Sequence, residues 1–331
     1  MEQKISMLHG SGGRSTGELI DNIFAKGFDN DTLNEMEDSA VVPGSGKIAI
    51  TTDSFVVTPL EFRGGNLGRL AVCGTVNDLL MRGAVPKYLT CGWILEEGAE
   101  LDVLKRLVHS MAETAREAGI KIVCGDTKVI EGHGGIYVNT AGVGFVPEDV
   151  DISAKNAKAG DVIIASGNMG DHHSTILSDR LSIVTDIASD NAPLTDMVFK
   201  LIGSDVEVHT LRDVTRGGLA TVLKELSESS ENCFSVDEDK IPISDKVRDF
   251  AALLGLDPMY MGNEGKMVCI VPKKDAEKAL SIIRGSKYGE DASIIGKVEN
   301  SGTTGNLFMN TSIGGKRNLT VLEGEGLPRI C

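Results

Sequence analysis

Residues 47–58, Lys47-Ile48-Ala49-Ile50-Thr51-Thr52-Asp53-Ser54-Phe55-Val56-Val57-Thr58, are followed by residues 66–81, Asn66-Leu67-Gly68-Arg69-Leu70-Ala71-Val72-Cys73-Gly74-Thr75-Val76-Asn77-Asp78-Leu79-Leu80-Met81. The first run reads as a strand and the second as a helix, with Leu67, Leu70, Ala71 and Leu79 among its apolar positions. The pattern then repeats. Lys87 to Leu95 reads as a strand, Leu101 to Ala118 as an amphipathic helix closed by Gly119, and Lys121 to Val129 and Ile136 to Val146 as a pair of strands. This is an α+β domain. From Pro147-Glu148-Asp149 the chain turns polar until a new strand, Asp161 to Ser166, which puts a domain boundary near 150.

The second half reads as an α/β domain over 151–312. Helices are expected around Thr195 to Ile202, Gly218 to Ser227 and Asp245 to Leu254, with a strand near Phe234 and further alternation to about Asn310. The last segment, 313–331, carries Gly314, Gly315, Gly324 and Gly326, few large apolar residues and no clear period, and reads as an extended tail ending at Cys331.

Composition narrows the function classes. A chain of 331 residues with 41% hydrophobic content can bury a sizeable core, and its length favours two domains over one. No run approaches the roughly 18 to 20 apolar residues needed to span a bilayer, and Met1-Glu2-Gln3-Lys4 does not open a signal peptide, so a cytoplasmic location is expected. The six cysteines lie far apart with no C-x-x-C pair, which argues against a zinc or redox site. A net charge of -15 argues against nucleic-acid binding, since no basic block is present to neutralise phosphates.

Three motifs carry chemistry. In His9-Gly10-Ser11-Gly12-Gly13-Arg14-Ser15 the glycines allow backbone N–H groups to converge on an anion, although the loop lacks the Lys-Ser/Thr ending of a P-loop and a plain flexible terminus fits it equally well. Separated aspartates stand at turns or strand ends: Asp38, Asp53, Asp78 and Asp126. Mg²⁺ takes carboxylate oxygens and shares them with substrate phosphates, so scattered acids that converge in the fold suit it, while any one of them alone serves more often as a cap or turn residue. Asp78 is the exception, because a carboxylate within an otherwise apolar helix needs a metal or a hydrogen-bond partner. The third motif, Asp213-Val214-Thr215-Arg216-Gly217-Gly218-Leu219, opens a helix and offers N–H groups and a positive dipole end.

The run from the Gly-rich start through Asp38-Ser39-Ala40, Thr51-Thr52-Asp53-Ser54-Phe55, Asn77-Asp78-Leu79 and Asp213 to Gly218 resembles the superfamily of aminoimidazole ribonucleotide synthetase, selenophosphate synthetase and thiamine-monophosphate kinase. That resemblance implies a two-domain fold whose N-terminal domain, 1–150, forms a dimer sheet and an ATP cleft. It also implies ATP-dependent phosphoryl transfer, with Gly10, Ser11, Gly12, Gly13, Asp38, Asp53, Asp78, Asp126 and Asp213 as nucleotide-binding residues. Of these, Asp38, Asp53, Asp78 and Asp126 would hold Mg²⁺. Within the superfamily, Met7-Leu8-His9-Gly10-Ser11-Gly12-Gly13, Cys124-Gly125-Asp126-Thr127-Lys128-Val129, Gly262-Asn263-Glu264-Gly265 and the ending Pro328-Arg329-Ile330-Cys331 are similar to the HypE family of hydrogenase maturation factors. Its members are ATP-dependent carbamoyl dehydratases. The resemblance implies that HypF loads a carbamoyl group on Cys331, that dehydration gives a thiocyanate, and that the cyanide passes to the HypC–HypD complex.

Under that reading Glu264 is favoured as base for the N–H proton, His133 as a second base, and Lys128 as a point charge on transferring phosphate or carbonyl oxygen. His172 and His173 do not read as a metal pair, since adjacent side chains diverge, and Asp171 reads as the cap of a helix start. Met259 and Met261 read as core fillers. The rivals are a superfamily enzyme acting on a free small molecule, which needs no Cys-ended arm, and a noncatalytic scaffold that uses ATP only to order its tail.

Overall fold

The computed structural model describes residues 4–6, 9, 18–35, 44, 46–300 and 304–322. In the first half, β1 (Ile48–Phe55) is followed by the short pair β2 (Glu61–Phe62) and β3 (Gly65–Asn66), then α1 (Leu67–Leu80), β4 (Val85–Glu96), α2 (Leu101–Ala118), β5 (Lys121–Ile130) and β6 (Ile136–Phe145). The four long strands form one sheet in the order β1-β6-β4-β5, antiparallel except for β4 and β5.

Local chemistry sets these elements. Asn66 caps α1 by accepting the Arg69 N–H on its side chain at 3.0 Å. In α2, Leu101, Leu104, Leu107, Val108, Met111, Ala115 and Ala118 recur at helical spacing and are all buried, and Gly119, at φ 72, ends the helix in the left-handed region. Helix α1 is different, because twelve of its fourteen residues are buried. It lies between the sheet, α2 and the second half of the chain, so its apolar surface runs all the way round. The two helices touch backbone to backbone: a Cβ on Gly68 would stand 2.0 Å from the Leu107 carbonyl oxygen.

The second half runs β7 (Asp161–Ala165), α3 (Asp171–Arg180), α4 (Thr195–Ile202), β8 (Thr210–Asp213), α5 (Gly218–Ser229), β9 (Cys233–Asp237), α6 (Asp245–Leu254), β10 (Met267–Pro272), α7 (Ala276–Arg284), β11 (Ser293–Glu299), β12 (Leu307–Asn310) and β13 (Lys316–Leu319). Its seven strands lie in the order β13-β12-β9-β11-β7-β10-β8, with β9 and β12 the parallel neighbours. The central strands β7, β9 and β10 are apolar nearly throughout, as burial of both faces requires.

Two expectations are corrected here. The tail does not begin at 313. Residues 311–315 form a turn, with the Thr311 N–H donating to the Gly315 carbonyl, and β13 pairs antiparallel with β12 as far as Leu319. Lys316, Arg317 and Asn318 leave little apolar signal, which is usual for an edge strand guarded by charge. Asp171 does not cap α3: Gly170, at φ 91, holds the cap position and Asp171 lies inside the first turn. His172 and His173 are buried there, His172 Nδ1 lying 2.7 Å from Ser189 Oγ, and no group of three or more metal-ligating side chains occurs among the described residues. Met259 and Met261 are core residues. No helix among the described residues is long and apolar enough to cross a membrane.

One core cluster runs through both halves, from Leu67, Leu70 and Leu104 to Ile164, Ile176, Leu194 and Met197. Asn77, buried on α1, fastens them: its Nδ2 donates to the Ala192 carbonyl at 3.0 Å and to that of Glu264 at 3.4 Å, and its Oδ1 accepts the Leu194 N–H at 2.9 Å. Replacing Asn77 by Ala strands a buried donor and acceptor, so Asn77→Ala should cost about 2–4 kcal/mol in urea unfolding. A loss below about 0.5 kcal/mol would show that this bridge does not hold the halves together.

Candidate active site

The end of β8, the C-terminal turn of α1 and the start of β1 meet at a cleft of about 280 Å³ lined by Thr51, Asp78, Arg82, Arg212 and Asp213. Asp78 sits at the wet edge of the otherwise enclosed α1 and finds the partner its position demands, since Thr51 Oγ1 donates to its Oδ2 at 2.7 Å. Asp53 stands two residues beyond Thr51, so the pleat points both toward α1. Gly74 makes room for it; a Cβ there would lie 3.4 Å from Asp53 Oδ2.

These acids resist ionising together. Burial, and then the Asp78 charge, push Asp53 up to about 6, with Arg216 pulling the other way. Burial raises Asp78 too, opposed by the Thr51 hydrogen bond and by Arg212 and Arg216. Asp213 is pushed up to about 7, by burial and then by Asp78, against Arg212. Glu264 is raised well above the usual carboxylate range by burial and by Asp190, Asp213 and Asp53.

Glu264 is not a solvated turn residue but a buried one, held by its backbone. Its N–H donates to Asp190 Oδ1 at 3.0 Å, its carbonyl accepts from Asn77, and the preceding Asn263 N–H donates to the Val214 carbonyl. A Cβ on Gly265 would lie 2.0 Å from the Asp190 carbonyl oxygen, so the loop packs on the segment 190–192 without a gap. Asp190, Asn77, Arg212 and Arg216 are site residues that pattern reading did not single out. No periodicity marks Asp190, and its second oxygen is shielded without a hydrogen-bond partner.

The structure thus brings Asp53, Asp78, Asp213 and Glu264 together and places Asp126, Lys128 and His133 elsewhere. Asp126 and Lys128 lie on β5 with exposed side chains, 3.0 Å apart as an ion pair, with two strands, β6 and β4, between them and β1. They occupy the outer face of the sheet, whereas Asp53 points inward, so within one chain Asp126 does not join the carboxylate cluster. His133 is exposed in the β5–β6 turn, which Glu96 pins by accepting the His133 and Gly135 N–H groups and the Tyr137 hydroxyl at 2.8 to 2.9 Å. Gly10, Ser11, Gly12, Gly13, Asp38 and Cys331 lie outside the described residues.

Residues 36–146 match the N-terminal domain, and residues 158–306 the C-terminal domain, of the AIR synthase related proteins. The carbamoyl dehydratase HypE of Cupriavidus necator is 46% identical over 99% of this chain and 95% of its own length. The crystal structure of the hydrogenase maturation protein HypE in complex with ATP superposes with a TM-score of 0.95 at 45% identity, covering 98% of this chain and 99% of that one. A HypE–HypF complex contains a chain of TM-score 0.80 and 44% identity, covering 92% of this chain and 99% of that one. With both halves of the fold matched and the likeness running from end to end, the chain belongs to the carbamoyl dehydratase HypE family of AIR synthase related proteins.

Proposed function

We propose that the chain dehydrates an S-carbamoyl group on its own Cys331 to a thiocyanate, using ATP. The observation that carries this is the cleft lined by Asp78 and Asp213, whose charges act on Asp53 and on the buried Glu264 next to them, in a chain whose relative was solved with ATP. In the reaction the carbonyl oxygen of Cys331-S-C(=O)-NH₂ bonds to the γ-phosphorus as the bond to ADP breaks. The carbon–oxygen bond then breaks, the oxygen leaves within phosphate, both N–H protons are lost and Cys331-S-C≡N remains. Glu264 takes an N–H proton; its enclosed carboxylate is a strong base once ionised. Lys128 steadies negative charge on the transferring group and His133 serves as the second base.

Acids that repel one another around a cleft fit a divalent cation. Mg²⁺ is held by one or two carboxylates plus substrate phosphates and water, so Asp53 and Asp78 would hold it together with the phosphates of the nucleotide, without a third protein carboxylate. Bound there, it would neutralise charge on the phosphoryl group in transfer.

The arm that carries Cys331 is rooted beside this cleft. The Leu322 N–H donates to Thr221 Oγ1 at 3.1 Å, in the first turn of α5 and directly over Gly217. The nine residues from 323 to 331 can span about 30 Å at 3.3 to 3.6 Å per residue. HypF loads the carbamoyl group, in keeping with the HypE–HypF complex of the relative, and the HypC–HypD complex receives the cyanide.

The chain acts as a homodimer. Ile48 and Ile50 on β1, Ile94 on β4 and Ile130 on β5 are exposed on the outer sheet face, Ile50 to 75%, and a second copy of that face would cover them. Asp126, Lys128 and His133 lie on or beside that face, so they act on substrate held by the partner.

Given HypF, carbamoyl phosphate and ATP, Cys331→Ala should fold and bind ATP like the parent and make no thiocyanate, while Glu264→Gln should stall with the carbamoyl group still attached; mass spectrometry of the C-terminal peptide reads both. Thiocyanate from the Cys331→Ala protein would end the carrier reading. A second expectation follows from the raised acids. Because Asp53 and Asp213 bind protons more tightly when folded, their stabilising contribution is lost as pH rises from about 4 through about 6 and about 7, and Mg²⁺ gains over protons in the same window. The rise in melting temperature produced by Mg²⁺ with ATP should therefore be larger at about pH 7.5 than at about pH 5.5, and Asp78→Asn should shrink it. An equal rise at both pH values would remove these acids from the metal site. Finally, mixing inactive Glu264→Gln and Lys128→Ala proteins should restore turnover, because one site of each mixed dimer is then intact. No recovery in verified mixed dimers would place Lys128 and Glu264 of one site on the same chain.

A further inference from the structure

Strands β5 and β6 are joined by a short connection, yet they are not neighbours. The sheet order puts β4 between them, so residues 131–135 cross over the end of β4 to span two strand spacings, about 9 to 10 Å. Glu96 is the last residue of β4 and lies under that crossing, paired with Ile130. Both feet of the bridge rest on this strand end. The Glu96 N–H donates to the Gly135 carbonyl at 2.9 Å, and the Glu97 N–H to the Ile130 carbonyl at 2.8 Å.

The Glu96 carboxylate fills the arch. Its Oε2 accepts the His133 N–H at 2.8 Å and the Gly135 N–H at 2.9 Å, while its Oε1 accepts the Tyr137 hydroxyl at 2.9 Å. Those hydrogen bonds, from Gly135 and His133 first and Tyr137 next, hold its carboxyl below the usual carboxylate range. Glycines make the room: a Cβ on Gly132 would stand 2.5 Å from Glu96 Oε2, and one on Gly135 3.0 Å from it. Gly134, at φ 94, closes against the Gly98 carbonyl. With glycine on both sides, His133 is the one side chain at the apex, and it is exposed. Water would satisfy the N–H groups of an exposed turn equally well, so what Glu96 adds is a fixed position.

The corner that supports this arch also supports the approach to the Gly-rich motif. The Gly98 N–H donates to the Ile5 carbonyl at 2.8 Å and the Ile5 N–H to the Ala99 carbonyl at 2.6 Å. Ile5 stands just ahead of that motif, residues 9–15, so its root and the His133 apex share one support.

We propose that Glu96 is a positioning residue for the dehydration, holding the 131–135 crossing so that the His133 imidazole meets the second N–H proton at a set place. This rests on the reading of His133 as the second base. As the carbon–oxygen bond breaks and phosphate leaves, that proton passes to the imidazole, and Glu96 itself touches neither substrate nor nucleotide. A base works only within about 2.6 to 3.2 Å of the heavy atom whose proton it takes, and a misplacement of about 1 Å can cost about a hundredfold in rate. A histidine at the tip of an exposed turn meets that tolerance only if its backbone is held.

The test follows the C-terminal peptide by mass spectrometry in the full-length parent, His133→Ala, Glu96→Ala, Glu96→Gln and doubly substituted Glu96→Ala/His133→Ala proteins. HypF in excess, carbamoyl phosphate and saturating Mg-ATP keep loading fast, so the carbamoylated form is seen turning into thiocyanate. His133→Ala should slow that step by about 10²-fold or more. Glu96→Ala should slow it by about ten- to a hundredfold while calorimetry finds Mg-ATP affinity as in the parent. Glu96→Gln keeps an oxygen for the two N–H groups and should stay within about threefold of the parent. The double variant should match His133→Ala to within about twofold, because removing the base leaves nothing to misplace. A double variant slowed by the product of the two single losses would make Glu96 a general structural support and overturn the proposal. So would Glu96→Ala turning over like the parent, or losing rate only through weaker Mg-ATP binding. His133→Ala turning over like the parent would instead overturn the reading of His133 as a base.

Discussion

Helix α1 has almost no face toward water, and the rest of the molecule is arranged by that condition. A helix with apolar residues all round needs covering on every side, and it is covered by the first sheet, by α2 and by the second half of the chain. The second half is therefore part of the same core rather than a neighbour resting on it. Asp78 belongs to this helix at the one turn where the cover parts, so the cleft is the opening left by the packing. The same burial that shapes the cleft holds the Asp78 carboxyl above its ordinary value.

Elements whose signals are local were legible in the sequence. The amphipathic run and terminal glycine of α2 define its two ends, and α4 and α6 fall where the apolar spacing puts them. The hairpin of β12 and β13 was not legible, because an edge strand reading Lys-Arg-Asn-Leu is held by backbone pairing and charge rather than by apolar alternation. Asp171 misled because a glycine in the left-handed region does the capping and leaves the acid one place inside.

The site was legible in its members more than in its grouping. The one carboxylate in the largely apolar α1 announces Asp78, and the Gly-rich approach to α5 announces Asp213. The side of the sheet that Asp126 takes depends on strand order and on register shifts such as that between Leu89 and Thr90, and one residue of slip exchanges the two faces. Glu264 gives no hint of burial in a Gly-flanked stretch, since what encloses it comes from Asp190 and Asn77, far away along the chain. Distant partners of this kind leave no period to read.

The bridge made by Asn77 bears on how the molecule moves. Two-part enzymes that shut on their substrates swing about a few loop residues, and this requires an interface that parts at little cost. Here parting the halves would uncover a continuous core and strip a buried amide of its hydrogen bonds at once. Motion that admits nucleotide or the loaded thiol is accordingly confined to surface segments, while the slot itself keeps its dimensions. The two halves make a fixed die, and what enters it has to fit the shape it already has.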